Sequence, residues 1–303
     1  MEVLLRARGL TKRYRDAVAL DGVDLEIEAS VTGLLGPNGA GKSTAIKLFL
    51  GLIRPTAGTA EVLGESASAN LAVRARLGYM PEHDCLPGNV TAAEFLVHMA
   101  ETSGLPRSHA RSRAAETLRH VGLFEERYRR MGDYSTGMRQ RVKLAQALVH
   151  DPVLVFLDEP ASGLDPIGRD EMLGLIRRTN REFGINLLFS SHLLGDVERI
   201  CDRIVVLDGG RVVRQGEVAS FTRETETVYV EVTARQDAFL AALRERGLDA
   251  ALDGRAVVVT DVVGERYDRI RDALAASGAP LRRLAPHRRT LVDLFRADGG
   301  EGS

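Results

Sequence analysis

Nine residues constrain this chain more than any others: Gly36-Pro37-Asn38-Gly39-Ala40-Gly41-Lys42-Ser43-Thr44. A buried-looking run, Val31 to Leu35, precedes them, and an apolar-periodic run, Ala45 to Leu52, follows. The predicted order is strand, glycine-rich turn, helix. In that setting Gly-x4-Gly-Lys-Ser is a phosphate-binding loop. Its glycines let successive N–H groups curl inward onto an anion, and the helix N-terminus adds partial positive charge at the same point. Lys42 supplies a full charge for β- and γ-phosphates. The Ser43 hydroxyl is placed to ligate Mg²⁺, and Thr44 to donate to a second phosphate oxygen.

Length and composition bound the rest. With 303 residues there is room for one large domain and one small one, and 44% hydrophobic with 27% charged residues is ordinary for a soluble globular chain. No apolar run approaches the roughly 20 residues that cross a bilayer, and Met1 to Arg8 has no signal-peptide pattern. The expectation is a cytosolic chain whose membrane role, if any, comes through a partner. A net charge of −1 gives no electrostatic ground for a nucleic-acid binder. Cys85 and Cys201 match no metal spacing.

Taken in order, residues 3–8 and 23–28 read as strands, the second alternating Val23, Leu25 and Ile27 with acids. Tyr14 lies between them, upstream of the loop, where an aromatic ring could stack on a base or form the rim of a small sheet. After the loop helix come a turn at 54–58, a strand at 59–63 and the stretch Leu77-Gly78-Tyr79-Met80-Pro81-Glu82, which reads as a strand ending in a mobile loop beside the phosphate site. Residues 91–104 and 108–121 read as amphipathic helices, the first opened by a Thr91 cap with Glu94 three residues on. The arginines at 107–113 and at 127, 129 and 130 read as solvated faces.

Tyr134-Ser135-Thr136-Gly137-Met138 opens a helix to about residue 150, an ordinary N-cap if taken alone. Val153 to Leu157 then reads as a fully buried parallel strand closed by Asp158 and Glu159. Two adjacent acids at the tip of a buried strand are costly without a cation, and ligands bind at such tips in open α/β sheets. Asp158 would hold Mg²⁺ directly or through water, and Glu159 could polarise an attacking water. Residues 162–166 form a turn capping helix 167–183. A further buried strand, Asn186 to Phe189, ends in Ser190-Ser191-His192, whose imidazole could face a γ-phosphate. A hairpin closes this part around Asp208-Gly209-Gly210.

Together these motifs resemble the nucleotide-binding domain of ABC (ATP-binding cassette) transporters over residues 1–218. The resemblance implies an α/β P-loop NTPase domain with a helical subdomain, binding ATP with Mg²⁺. It implies roles for Tyr14 in adenine stacking, for residues 36–44 as Walker A and for Glu82 at the Q-loop beside the metal. Ser135 and Gly137 would form the signature, Asp158 and Glu159 Walker B, residues 162–165 the D-loop, and His192 the switch. Two positions depart from the family's usual pattern. The signature reads Tyr-Ser-Thr-Gly-Met, and Glu82 stands where Gln is usual, adding a negative charge near the metal. Both variants look like the drug- and sodium-exporter branch. That branch implies a dimer of like chains with each ATP between Walker A of one and the signature of the other. It also implies an integral membrane permease partner, a peripheral place on the cytoplasmic face, and no nucleic acid.

Residues 219–303 lie beyond the resemblance. After a linker at 222–225, strands near 228–233, 248–252, 256–260 and 281–285 interleave with helices at 236–246 and 265–277. That order resembles a βαββαβ ferredoxin-like unit, a small α+β accessory domain. A last helix is expected at 289–295, and Arg282, Arg283, Arg288 and Arg289 make a small basic patch. Two rival functions follow from the same loop. One is an ABC ATPase acting on ribosomes or DNA, disfavoured by a single cassette and no heptad run. The other is a P-loop kinase, disfavoured by an acid placed to activate water.

Overall fold

The computed structural model of the chain describes every residue except Met1, Asp16, Ser68, Ala69, Thr222, Arg223, Arg255, Asp261, Val263, Glu265 and residues 289–303. The chain divides into two compact units, one up to Val218 and one from Ala219.

The first unit opens with β1 (Val3–Tyr14), β2 (Ala17–Glu28), β3 (Val31–Leu35) and α1 (Lys42–Phe49), then β4 (Ala57–Val62), β5 (Glu65–Ser66), α2 (Leu71–Arg74) and β6 (Leu77–Met80). It continues with α3 (Ala92–Thr102), α4 (Arg107–His120), α5 (Thr136–Leu148), β7 (Leu154–Asp158), α6 (Pro166–Phe183) and β8 (Asn186–Ser191). Helix α7 (Leu194–Ile200), β9 (Arg203–Asp208) and β10 (Arg211–Glu217) complete it. Its two sheets run β2-β1-β4-β5, all antiparallel, and β10-β9-β3-β8-β7-β6, parallel except for β10 at the edge. The antiparallel hairpin extends well past the strands expected at 3–8 and 23–28. Tyr14 ends β1 and pairs with Ala17, with register shifts along the way that blur the alternation.

Strands β3 and β7 are buried along their whole length, as continuous apolar runs require in a sheet covered on both faces. Helix α1 lies between the sheets. Its Ile46, Leu48 and Phe49 join Leu5, Leu10 and Leu20 on one side and Leu34, Phe156 and Leu188 on the other in one apolar cluster. Each such side chain contributes about 1.5–3 kcal/mol on burial, so the position of α1, and of the loop that feeds it, is fixed by the core.

Helices α3, α4 and α5 form the helical part. Helix α3 begins with the expected capping box: the Glu94 N–H donates to Thr91 Oγ1 at 3.2 Å and the Thr91 N–H to Glu94 Oε2 at 2.9 Å. Helix α6 is capped by Asp165, which accepts from the Gly168 N–H at 2.7 Å, with Pro166 in its first turn. The arginines at 127, 129 and 130 lie outside α3–α5, the first within a single 3₁₀ turn, Glu126–Tyr128, and the other two just after it. Arg127 stacks at 3.7 Å from the Phe124 ring centroid.

Helix α8 (Val218–Phe221) marks the boundary. The second unit follows as β11 (Glu224–Val232), α9 (Gln236–Glu245), β12 (Ala250–Asp253), β13 (Ala256–Val259), α10 (Arg266–Ser277) and β14 (Leu281–Arg288). Its sheet order, β12-β13-β11-β14, is antiparallel throughout and matches the expected βαββαβ unit. Val228, Val230, Phe239, Leu243, Val257 and Ile270 form its core. Strand β11 starts at Glu224, inside the stretch expected to be a linker. The helix expected at 289–295, and Arg289, lie outside the described residues.

Candidate functional site

Three strands of the parallel sheet, β3, β7 and β8, end side by side, with Leu35 paired to Ser191 and Asp158 to Ser190. The loop 36–41 leaves β3 at that edge and enters α1 at Lys42. Gly36 and Gly41 have φ of 157° and 102°, and a Cβ would run into the Leu207 carbonyl oxygen at the first and that of Ala19 at the second. Glycine is therefore required at both positions, and the loop backbone lies tight against β9 and β2. Asn38 and Gly39 are exposed at the crest, Ala40 is buried beneath it, and Thr44 is half-buried in the first turn of α1.

Lys42 is only 6% exposed. Its ammonium donates to the Gly36 carbonyl at 2.7 Å and the Pro37 carbonyl at 3.3 Å, and lies 3.4 Å from Glu159 Oε1. The next residue, Ser43, donates its hydroxyl to Asp158 Oδ1 at 3.1 Å. Glu159 Oε2 stands 3.0 Å from His192 Nδ1, while Oε1 is buried with no hydrogen-bond partner. The structure thus brings Lys42, Ser43, Asp158, Glu159 and His192, from three separate stretches of sequence, into one cluster.

Glu159 has φ of 48°, left-handed for a residue with a Cβ. Such a backbone costs about 1–3 kcal/mol and persists only where its surroundings enforce it. Here the Ser162 N–H donates to the Glu159 carbonyl at 3.0 Å and the Glu159 N–H donates to Ser190 Oγ at 2.9 Å. Ser190 in turn donates to Asp158 Oδ1 at 2.8 Å. No local motif in the sequence marks Ser190. Its role follows from the pairing of β7 with β8, a long-range fact. Tyr79, on the neighbouring β6, has its phenol pushed up to about 12 by burial and then by the Asp158 carboxylate.

The remaining predicted residues stand apart from this cluster. Tyr14 is 45% exposed with the Lys12 ammonium 5.0 Å from its ring centroid, on the hairpin whose second strand abuts the loop at Ala19. Ser135 caps α5, accepting from the Met138 N–H at 3.3 Å. With Gly137 it lines a groove of about 600 Å³ shared with Gly163, Leu164 and Asp165. Neither is hydrogen-bonded to Lys42, Ser43, Asp158 or Glu159. Glu82 is exposed, and its carboxylate makes no hydrogen bond or ion pair with a described residue. Its backbone carbonyl, however, accepts from Lys143 Nζ at 2.8 Å. Lys143 is almost wholly buried in α5, and burial holds its pKa below the usual lysine value. Arg139, also on α5, donates through Nε to Asp84 at 2.9 Å. The loop after β6, expected to be mobile, is thereby pinned to the helix that Ser135 caps.

Chemically, the cluster offers an anion cradle with a buried cation, a hydroxyl–carboxylate oxygen pair suited to a hard divalent ion, and a carboxylate held by an imidazole. Among the described residues, no three His, Cys, Asp or Glu side chains gather as a metal cage of their own. An ion here would complete its shell with water and phosphate oxygens, which is the usual habit of Mg²⁺.

Comparison with known proteins agrees. The family model for ABC transporters matches residues 20–162. The daunorubicin resistance ATP-binding protein DrrA3 of Streptomyces coeruleorubidus is 35% identical over 95% of this chain and 93% of its own length. The bacitracin transport ATP-binding protein BcrA of Enterococcus faecalis is 30% identical over 100% and 98%. The structure of cbiO1 from Clostridium perfringens, part of the ABC transporter complex cbiONQ, superposes with a TM-score of 0.67 at 28% identity, covering 73% of this chain and 90% of that one. The chain belongs to the ABC transporter family, among its ATP-binding and ATP-hydrolysing proteins.

Proposed function

We propose that this protein is the ATPase subunit of a membrane exporter, peripheral on the cytoplasmic face and paired with a separate integral membrane permease. The observation that carries this reading is the single cluster formed by Lys42, Ser43, Asp158, Glu159 and His192 at the ends of β3, β7 and β8. Two relatives matched over nearly their whole length are named for daunorubicin resistance and bacitracin transport, which supports a transport role here. Among the described residues no helix is long and apolar enough to cross a membrane, so a cargo path would come from a partner.

In this reading the N–H groups of residues 38–44 and the Lys42 ammonium hold the β- and γ-phosphates, and Tyr14 stacks on the adenine. Ser43 and Asp158 would hold Mg²⁺, which when bound would offset the charge on the phosphate oxygens. Glu82 would add negative charge near the metal. Glu159 accepts a proton from the attacking water, and His192 keeps its carboxylate in place. The groove at Ser135 and Gly137 faces a second copy of the chain, whose ATP it completes. The whole ATP site lies in the unit up to Val218, and the unit from Ala219 serves the dimer or the permease.

The test is fractionation. The full chain, purified from detergent-solubilised membranes, is expected to bring an integral membrane protein with it and to hydrolyse ATP faster once both are in vesicles. Recovery of the chain with ribosomes or DNA instead, and no membrane partner, would refute the exporter reading.

A further inference from the structure

Ser190 is a buried polar group that the proposed chemistry leaves unused. It is fully buried, yet its hydroxyl is bonded on both sides. It donates to Asp158 Oδ1 at 2.8 Å and accepts from the Glu159 N–H at 2.9 Å. One hydroxyl therefore ties two consecutive functional residues to the neighbouring strand. Ser191, one residue on, does nothing comparable: it accepts from the Leu193 N–H at 3.0 Å and stays within its own turn.

The geometry has two consequences. Because the Ser190 hydroxyl donates to the Asp158 carboxylate, its lone pairs face the Glu159 N–H. That orientation rewards the left-handed backbone at Glu159, where φ is 48°. The backbone in turn aims the Glu159 side chain at Lys42 and His192, 3.4 and 3.0 Å away. Asp158 Oδ1 receives both Ser190 and Ser43, so Ser190 still anchors the carboxylate if Ser43 turns toward a metal ion.

We infer that Ser190 is a positioning residue for hydrolysis, setting the backbone of Glu159 and the carboxylate of Asp158 through one buried hydroxyl. The inference rests on the proposed role of Glu159 as base. An error of about 1 Å in such a group costs on the order of a hundredfold in rate.

The experiment uses the full chain with Ser190→Ala and Ser190→Thr, each alone and with Glu159→Gln. ATP turnover, MgADP affinity by titration and melting temperature are measured for each. Ser190→Ala is expected to lower kcat by about ten- to a hundredfold, with MgADP affinity within about threefold. Ser190→Thr, which keeps the hydroxyl, should recover most of the rate. In the Glu159→Gln background, the same Ala substitution should cost much less than in the unchanged chain. The inference is overturned if Ser190→Ala keeps kcat within about threefold while Glu159→Gln is slow. It is equally overturned if the Ala loss is the same in both backgrounds, or if rate, affinity and melting fall together in Ala and Thr alike. A slow Ser190→Ala beside a fast Glu159→Gln would instead remove Glu159 as base and leave Ser190 acting through Asp158.

Discussion

Replacing Lys42 with Ala tests the reading of the loop most severely. The Lys42 ammonium is 3.4 Å from Glu159 and bonded to the Gly36 and Pro37 carbonyls. Hydrogen bonds to charged groups contribute about 1.5–3 kcal/mol each. Two phosphate oxygens would thus offer about 3–6 kcal/mol, but the ammonium must leave its present partners to reach them. Allowing for that exchange, a net contribution of about 3 kcal/mol remains, or roughly a hundredfold in affinity at 1.4 kcal/mol per decade. Calorimetric titration with ATP and Mg²⁺ should show Lys42→Ala weakened by about that factor or more. Lys42→Met, which keeps the buried stem, should behave the same, because the loss is of charge rather than packing. Affinity within about threefold of the unchanged chain in both variants would refute the argument, since Lys42 would then hold the loop and not the ligand.

Two further outcomes follow. A Ser135→Arg chain mixed with a Lys42→Ala chain should hydrolyse ATP well above either alone, because a mixed pair retains one site with Lys42 from the first chain and Ser135 from the second; no gain over the parents would make each site self-contained. His120 and His150 are both held below the usual histidine pKa by burial. The unfolded chain then binds more protons below about pH 6.5. Their contribution to stability is therefore full above that pH and lost as pH falls further. Melting temperature should drop from about pH 7.5 to 5.5 and drop less in a His120→Gln, His150→Gln double variant; equal slopes would contradict the assignment.

The parts of the site that could be read from the sequence are those written locally. Residues 36–44, Asp158 with Glu159, and the Thr91 cap each need only their own neighbours, so residue type and spacing suffice. The strand that carries Asp158 was legible because burial on both faces forces a continuous apolar run. The hairpin of β1 and β2 was only half legible, since register shifts between Ala7 and Leu10 and between Leu10 and Lys12 break the alternation that marks a strand. Ser190 was invisible as a partner of Asp158 because that contact depends on strand register across 32 positions of sequence. The pinning of the Glu82 loop was hidden for a similar reason: Lys143 reads as one charge on a helix, and only the fold buries it against a carbonyl.

In the proposed mechanism Glu159 activates water in a site that two chains close around ATP. Glu159→Gln keeps the size of the side chain and leaves Lys42, Ser43 and the loop to hold the nucleotide, but it removes the carboxylate that takes the proton. General-base assistance is worth about 10²–10⁴-fold. Single-turnover hydrolysis measured beside molecular mass should find the variant slowed by that factor and trapped as a dimer with ATP but not with ADP. Hydrolysis within about threefold of the unchanged chain, well short of a general-base effect, with no ATP-dependent dimer, would contradict the account.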